Sequence, residues 1–154
     1  MIKLEKPDID VESIITDCTA NLTKQPILTH INASKTTIVS KSEKYNELAE
    51  KGQLGTLETH TMIEGGATKD DMVWLYDNKF VADGGRKYYD KIKANPKYSK
   101  CPFCGVGIVS TLDHYLPKTK YPTYALTPVN LIACCADCNK NKKSEISETR
   151  NNEF

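Results

Sequence analysis

Residues 101–143 read CPFCGVGIVSTLDHYLPKTKYPTYALTPVNLIACCADCNKNKK. Two Cys-x-x-Cys pairs, Cys101/Cys104 and Cys135/Cys138, enclose thirty residues. Each two-residue knuckle lets both sulfurs reach one tetrahedral ion, so the set predicts a four-thiolate structural Zn²⁺ site. A ribbon insert usually runs about 15–20 residues. The longer insert here carries Asp113-His114 and an isolated Asn130, and Asn139 directly follows the last cysteine. Those polar residues point to chemistry beyond a structural metal.

Working outward, Gly105 after Cys104 lets backbone amides turn toward the sulfurs. Val106 to Leu112 reads as a short β-hairpin with Gly107 at or near its turn, delivering Asp113-His114 at the end of its second strand. Neighbours on a strand face opposite ways, so both serve one site only if the strand ends or bends there; Pro117 is consistent with an ending. Asn130, inside the apolar stretch Val129–Ile132, needs a hydrogen-bonding duty if buried. A helix is expected from Asn139 to about Glu148. The order is strand, strand, helix, with zinc compensating for a core too small to stand by burial alone. Cys134 beside Cys135 is read as a packed thiol, since the knuckle spacing favours Cys135 as ligand.

These residues resemble the HNH endonuclease family, the ββα-metal nucleases, in its cysteine-bracketed form. The matching elements occur in order: Cys101-Pro-Phe-Cys104, Asp113-His114-Tyr-Leu-Pro117, Asn130-Leu131, and Cys135-Ala-Asp-Cys138-Asn139-Lys140-Asn141-Lys142. Asn139 stands where many members have histidine, and its amide oxygen suits a hard cation such as Mg²⁺. The resemblance implies a metal-dependent endonuclease hydrolysing phosphodiester bonds in DNA, with RNA not excluded. It makes His114 the general base. Asp113 and Asn139 would hold one catalytic Mg²⁺ or Mn²⁺, and Asn130 would hold the loop and orient His114. Lys140, Lys142 and Lys143, on the first turn of the final helix, and Lys118 and Lys120, after the motif, are natural phosphate contacts. Stand-alone proteins resembling this family serve in restriction, homing, packaging and anti-phage defence; a defence role is one expectation. The reading of another class is a non-catalytic zinc-finger module that binds nucleic acid or a protein. Such a module has no need of Asp113, His114 and Asn139.

At 154 residues the chain fits one domain, or one small domain with an appendage. The expected class is α+β: a mostly helical region, 1–84, followed by the zinc-stabilised module, 85–154. Residues 1–85 carry nine Lys/Arg and fourteen Asp/Glu, a net of −5; residues 86–154 carry twelve and six, a net of +6. The basic part suggests an anionic partner, and the acidic part a docking surface for a protein. No long apolar run and no apolar leader appear, so no membrane span is expected and a cytoplasmic location is. Six cysteines, four in metal spacing, suit a reducing compartment.

In residues 8–22, Val11, Ile14, Ile15, Cys18 and Leu22 form one apolar stripe of a helix capped by Asp8 or Asp10. Cys18 reads as a buried structural thiol. Pro26 begins a further helix that the β-branched run Thr36–Val39 should weaken, and a separate piece, Ser42 to Lys51, ends at Gly52. Residues 52–69 read as a loop. His30, with no ligand at metal spacing, reads as a surface or boundary histidine, and His60 has no assigned role. Residues 69–82 form a helix capped by Asp70 or Asp71, with Met72, Val73, Tyr76 and Phe80 inward. Asp83-Gly84-Gly85 breaks it. The basic helix 86–94 offers Arg86, Lys87, Lys91 and Lys93 to phosphates or simply to water.

Overall fold

The computed structural model describes residues 4–142. It is α+β. Five α-helices and a two-stranded antiparallel sheet follow in the order α1 (Val11–Thr19), α2 (Ile27–Glu50), α3 (Lys69–Leu75), α4 (Arg86–Lys93), β1 (Thr111–His114), β2 (Leu131–Cys134) and α5 (Ala136–Lys142).

Asp10 caps α1 through its carboxylate and the Ser13 N–H at 2.8 Å. The stripe Val11, Ile14, Ile15, Cys18, Leu22 is buried throughout. Burial, and next the charge of Asp17, push the Cys18 thiol up to about 12, which fits an inert structural thiol.

α2 corrects the expectation of two pieces: it is one helix of 24 residues. Its buried residues Ile27, Ile31, Ser34, Ile38, Ser42, Tyr45 and Leu48 form one stripe, with Ile38 fully buried in the middle. The propensity penalty of the β-branched run is at most about 0.7 kcal/mol per residue, and burial of a side chain like Ile38 gains about 1.5–3 kcal/mol. Gly52 ends the helix in a left-handed conformation, φ 65°. Its N–H donates to Ala49 O and that of Gln53 to Leu48 O, a Schellman motif.

The cap of α3 is Thr68, with Asp71 three residues in completing a capping box. Neither aspartate is the cap residue itself; a hydroxyl one residue earlier takes that place. The helix continues as a π-helical turn, Tyr76–Phe80.

The sheet also departs from expectation. No local hairpin forms at 106–112. β1 pairs instead with β2, beyond the loop 115–130, in the register Thr111↔Cys134, Leu112↔Ala133, Asp113↔Ile132, His114↔Leu131. Val106 and Ile108 are exposed, because the knuckle's sulfurs take the inward side of that segment. The strand–strand–helix order holds with different strands.

One apolar cluster joins Ile14, Ile31, Ile38, Leu75 and Phe80 to Leu112, Leu126, Leu131 and Ala133. A second joins Tyr45, Leu48 and Leu54 to Tyr115, Leu116, Tyr124 and Ile132. Both clusters cross residue 84, so the helical stretch and the cysteine module share their core. Among the described residues no helix is long and apolar enough to cross a membrane.

Candidate metal centre and active site

The four sulfurs of Cys101, Cys104, Cys135 and Cys138 lie within 4.8 Å of one another. The Cys104 and Cys135 sulfurs are 3.9 Å apart. A tetrahedral Zn–S length of about 2.3 Å places sulfurs about 3.8 Å apart. The donor set therefore fits structural zinc. Cys134 is outside this group; it sits in β2 opposite Thr111.

The knuckle's backbone explains its glycines. Gly105, φ 71°, turns the chain, and the Gly107 N–H donates to Cys104 Sγ at 3.3 Å. A Cβ on Gly107 would lie 2.8 Å from the Cys135 sulfur, so close approach, not a hairpin turn, requires glycine there. The Gly107 and Val106 amides pull the Cys104 thiol down to about 6. Burial opposes the same effect at Cys101, where the amides of Cys135, Cys104 and Phe103 still lower it. Burial and then shared hydrogen bonds with the other three thiols push Cys138 up. Bound zinc would hold all four sulfurs as thiolates, its charge offsetting the repulsion among them.

The second knuckle opens α5 earlier than expected, at Ala136, so Cys138 and Asn139 lie within the helix. The Asn139 N–H donates to Cys135 O at 3.1 Å. Lys140 is exposed, a turn further in than the first-turn position expected. Lys142 ends α5 in backbone terms, and Lys143 and the remainder of the expected helix lie outside the described residues.

β1 ends at His114, yet Asp113 and His114 are both still paired in the ladder, so the strand's alternation applies to them. By register, His114 shares a face with Leu112, Leu131 and Ala133, while Asp113 shares the opposite face with Ile132. Both are buried, at 8% and 6% exposure for Asp113 and His114. α4 packs on both strands and α5 on β1. The His114 Nε2 lies 2.9 Å from Ala125 O. A carbonyl only accepts, so Nε2 carries a proton and donates it to Ala125 O.

Asn130 is fully buried, and its side chain makes four hydrogen bonds. Its Oδ1 accepts from the Leu116 N–H and the Tyr45 hydroxyl, each at 2.8 Å. Its Nδ2 donates to Leu116 O at 3.0 Å and Tyr124 O at 3.1 Å. Its geometry is that of a clamp across the loop 115–130, whose Ala125 holds His114.

Sequence reasoning missed three residues around this loop. Tyr76, read only as core, sets its ring against His114, centroids 4.6 Å apart at 62°. Tyr45 anchors Asn130. His60 accepts from the Thr123 N–H through Nε2 at 3.2 Å, and its backbone N–H donates to Lys120 O at 3.0 Å. Each contact spans a long sequence separation, and no local pattern announces it. Lys118 places its ammonium 5.1 Å from the Tyr76 ring centroid, beside the His114 pocket; Lys120 is exposed. On α4, Arg86 pairs with Asp90 and Lys87 with Asp17, so part of that helix's positive charge is neutralised. His30 is a boundary residue as expected, though with a partner, Asp71, at 2.8 Å.

No protein-family model matches the chain. No solved structure matches it. Protein ea31 of Escherichia phage lambda is 30% identical over 155 residues, an alignment that covers 95% of this chain and 52% of that protein. The chain spans about half the length of this curated relative.

Proposed function

We propose that the chain is a zinc-stabilised, metal-dependent endonuclease of the HNH type, hydrolysing phosphodiester bonds in DNA. The observation that carries this reading is the state of His114. Its Nε2 donates to Ala125 O, which fixes the ring in the loop, and Nδ1 is assigned the part of taking a proton from an attacking water. The strand–strand–helix order, with the thiolates joining the first knuckle to the start of α5, supports the same reading.

In this proposal His114 is the general base. Asn130 is a positioning residue that acts through the loop bearing Ala125. Asp113 and Asn139 offer one carboxylate and one amide, oxygen donors that fit Mg²⁺ or Mn²⁺ and leave coordination positions open. Such a cation, when bound, stabilises the charge that builds on the phosphate and the leaving oxygen. Lys118, Lys120 and Lys140 supply further positive charge for the backbone of the nucleic acid.

The test is plasmid cleavage by the zinc-loaded chain with EDTA, Mg²⁺ and Mn²⁺ side by side, repeated with a structured RNA. His114→Ala should abolish metal-dependent nicking while zinc content and helicity persist. Equal cutting by both proteins removes the proposal. Binding without turnover by well-folded protein would favour the zinc-bearing binding module, for which the thiolate cluster alone suffices.

A further inference from the structure

Four large apolar side chains are strongly exposed among the described residues, and three lie on one ribbon beside the first knuckle. Tyr98 is 90% exposed, Val106 77% and Ile108 60%. Lys100 lies opposite Ile108 in an antiparallel bridge. The Val109 N–H donates to Ser99 O and the Cys101 N–H to Gly107 O, each at 2.8 Å, which closes the ribbon. Single exposed apolar residues are ordinary on a protein surface, whereas a concentration at one place marks an interaction site.

The backbone holds Tyr98 outward at a cost. Tyr98 and Ser99 both have φ 57°. The left-handed region costs a non-glycine residue about 1–2 kcal/mol. Strain of this kind persists where the surroundings enforce it, and it gathers at functional sites.

The charge around the ribbon selects the partner. Residues 91–112 contain Lys91, Lys93, Lys97 and Lys100 and no aspartate or glutamate. Lys91, Lys97 and Lys100 are exposed. A flat aromatic ring presented to solvent between lysines meets the two needs of a nucleic-acid strand, a stacking face and phosphate contacts. A base inside a duplex has both faces covered by its neighbours; an unpaired base has one to offer.

We propose that the ribbon 97–109 binds single-stranded nucleic acid, with Tyr98 stacking on an unpaired base and Lys97 and Lys100 on the flanking phosphates. Val106 and Ile108 cover the apolar edge of the same base or its sugar. The inference rests on the nuclease reading only in that both require nucleic acid. It adds a binding surface distinct from Asp113, His114 and Asn139.

The experiment is fluorescence anisotropy with labelled oligothymidine and a matching duplex. It uses the full zinc-loaded chain carrying His114→Ala, without added Mg²⁺ or Mn²⁺, over a salt series. Tyr98→Ala should weaken oligothymidine binding on the order of tenfold, and Tyr98→Phe should keep it within about twofold. Lys97→Ala with Lys100→Ala should reduce the salt slope by about 1.4, about 0.7 for each lost phosphate contact on a single strand. Zinc content checks that each variant is folded. Wild-type affinity in Tyr98→Ala overturns the ribbon proposal alone and leaves the nuclease reading standing, the exposed patch then belonging to a protein surface. Absence of binding to either probe by the parent overturns both.

Discussion

Tyr45, deep in α2, donates its hydroxyl proton to Asn130 Oδ1 at 2.8 Å, and both residues are fully buried. The bond joins the helical stretch to the loop that carries Ala125 and, through it, His114. Ser42, one turn earlier on α2, lies 2.7 Å from the Thr127 hydroxyl and repeats the attachment. The helical stretch is thus a wall of the candidate site as well as a neighbour of it.

Asn130→Ala should be severely destabilising. It leaves the Leu116 N–H, two buried carbonyls and the Tyr45 hydroxyl without their partner. Each such group costs about 1–3 kcal/mol, and with partial relaxation the total should be on the order of 4 kcal/mol. Tyr45→Phe removes one bond and should cost about 1 kcal/mol. Urea unfolding of both variants measures this; an Asn130→Ala loss no larger than that of Tyr45→Phe would refute the clamp.

Tyr76 predicts a separation of packing from charge. Tyr76→Ala removes a buried ring beside His114 and Phe80 and should cost about 3–5 kcal/mol, with loss of cutting. Lys118→Ala removes the half-buried stem and the ammonium above that ring, a cation–π contact worth about 0.5–1 kcal/mol, so stability should change far less than in Tyr76→Ala. Cutting in Mg²⁺ should nevertheless fall in Lys118→Ala. Unchanged cutting would place Lys118 outside the phosphate path.

Much of the metal site could be read in the chain because its geometry is local. A two-residue knuckle brings two sulfurs together whatever the rest does, and the pairing of Cys101/Cys104 with Cys135/Cys138 is realised in the structure. Asn130 was also legible as a polar residue in an apolar stretch that needed bonds. The strand partner of β1 was not legible. Val106 and Ile108 carry a strand composition, yet their segment makes a single bridge to Lys100, because the knuckle fixes its path. The continuity of α2 was hidden for another reason. Local propensity spoke against helix at Thr36–Val39, and tertiary burial of Ile38 outweighed it. Tyr45, Tyr76 and His60 act across separations that no periodicity encodes.

Zinc affinity should depend on Gly107 more than on Gly105. A methyl group at Gly107 meets the Cys135 sulfur at 2.8 Å, whereas one at Gly105 meets nothing within 4 Å. Gly107→Ala should weaken zinc binding about 10–100-fold, the range for disturbing the groups that orient metal ligands. Gly105→Ala should cost only the left-handed backbone penalty, about 1 kcal/mol in stability. Competition with a chromogenic zinc chelator ranks the two; equal zinc affinities would show that the crowding at Cys135 is relieved without effect on the metal.

The His30–Asp71 pair gives a pH prediction. Burial would push the Asp71 carboxyl up. The Thr68 N–H and hydroxyl and the His30 ring more than offset this, and its pKa lies below the ordinary carboxylate value. A carboxylate depressed in the folded state contributes stability above its unfolded pKa of about 3.9 and loses it as pH falls through the folded value. Asp71 also accepts from the Thr68 N–H at 2.9 Å, closing the capping box of α3. Asp71→Ala should therefore cost about 2 kcal/mol at pH 7, from the lost cap and the lost hydrogen bond to His30 together. The difference between wild type and variant should hold down to about pH 4.5 and shrink below it. Thermal unfolding of both proteins at matched pH and zinc reads this difference directly, because acid release of zinc affects the two alike. A difference that stays constant into strong acid would mean that the charge of Asp71 contributes nothing to the attachment of α3 to α2.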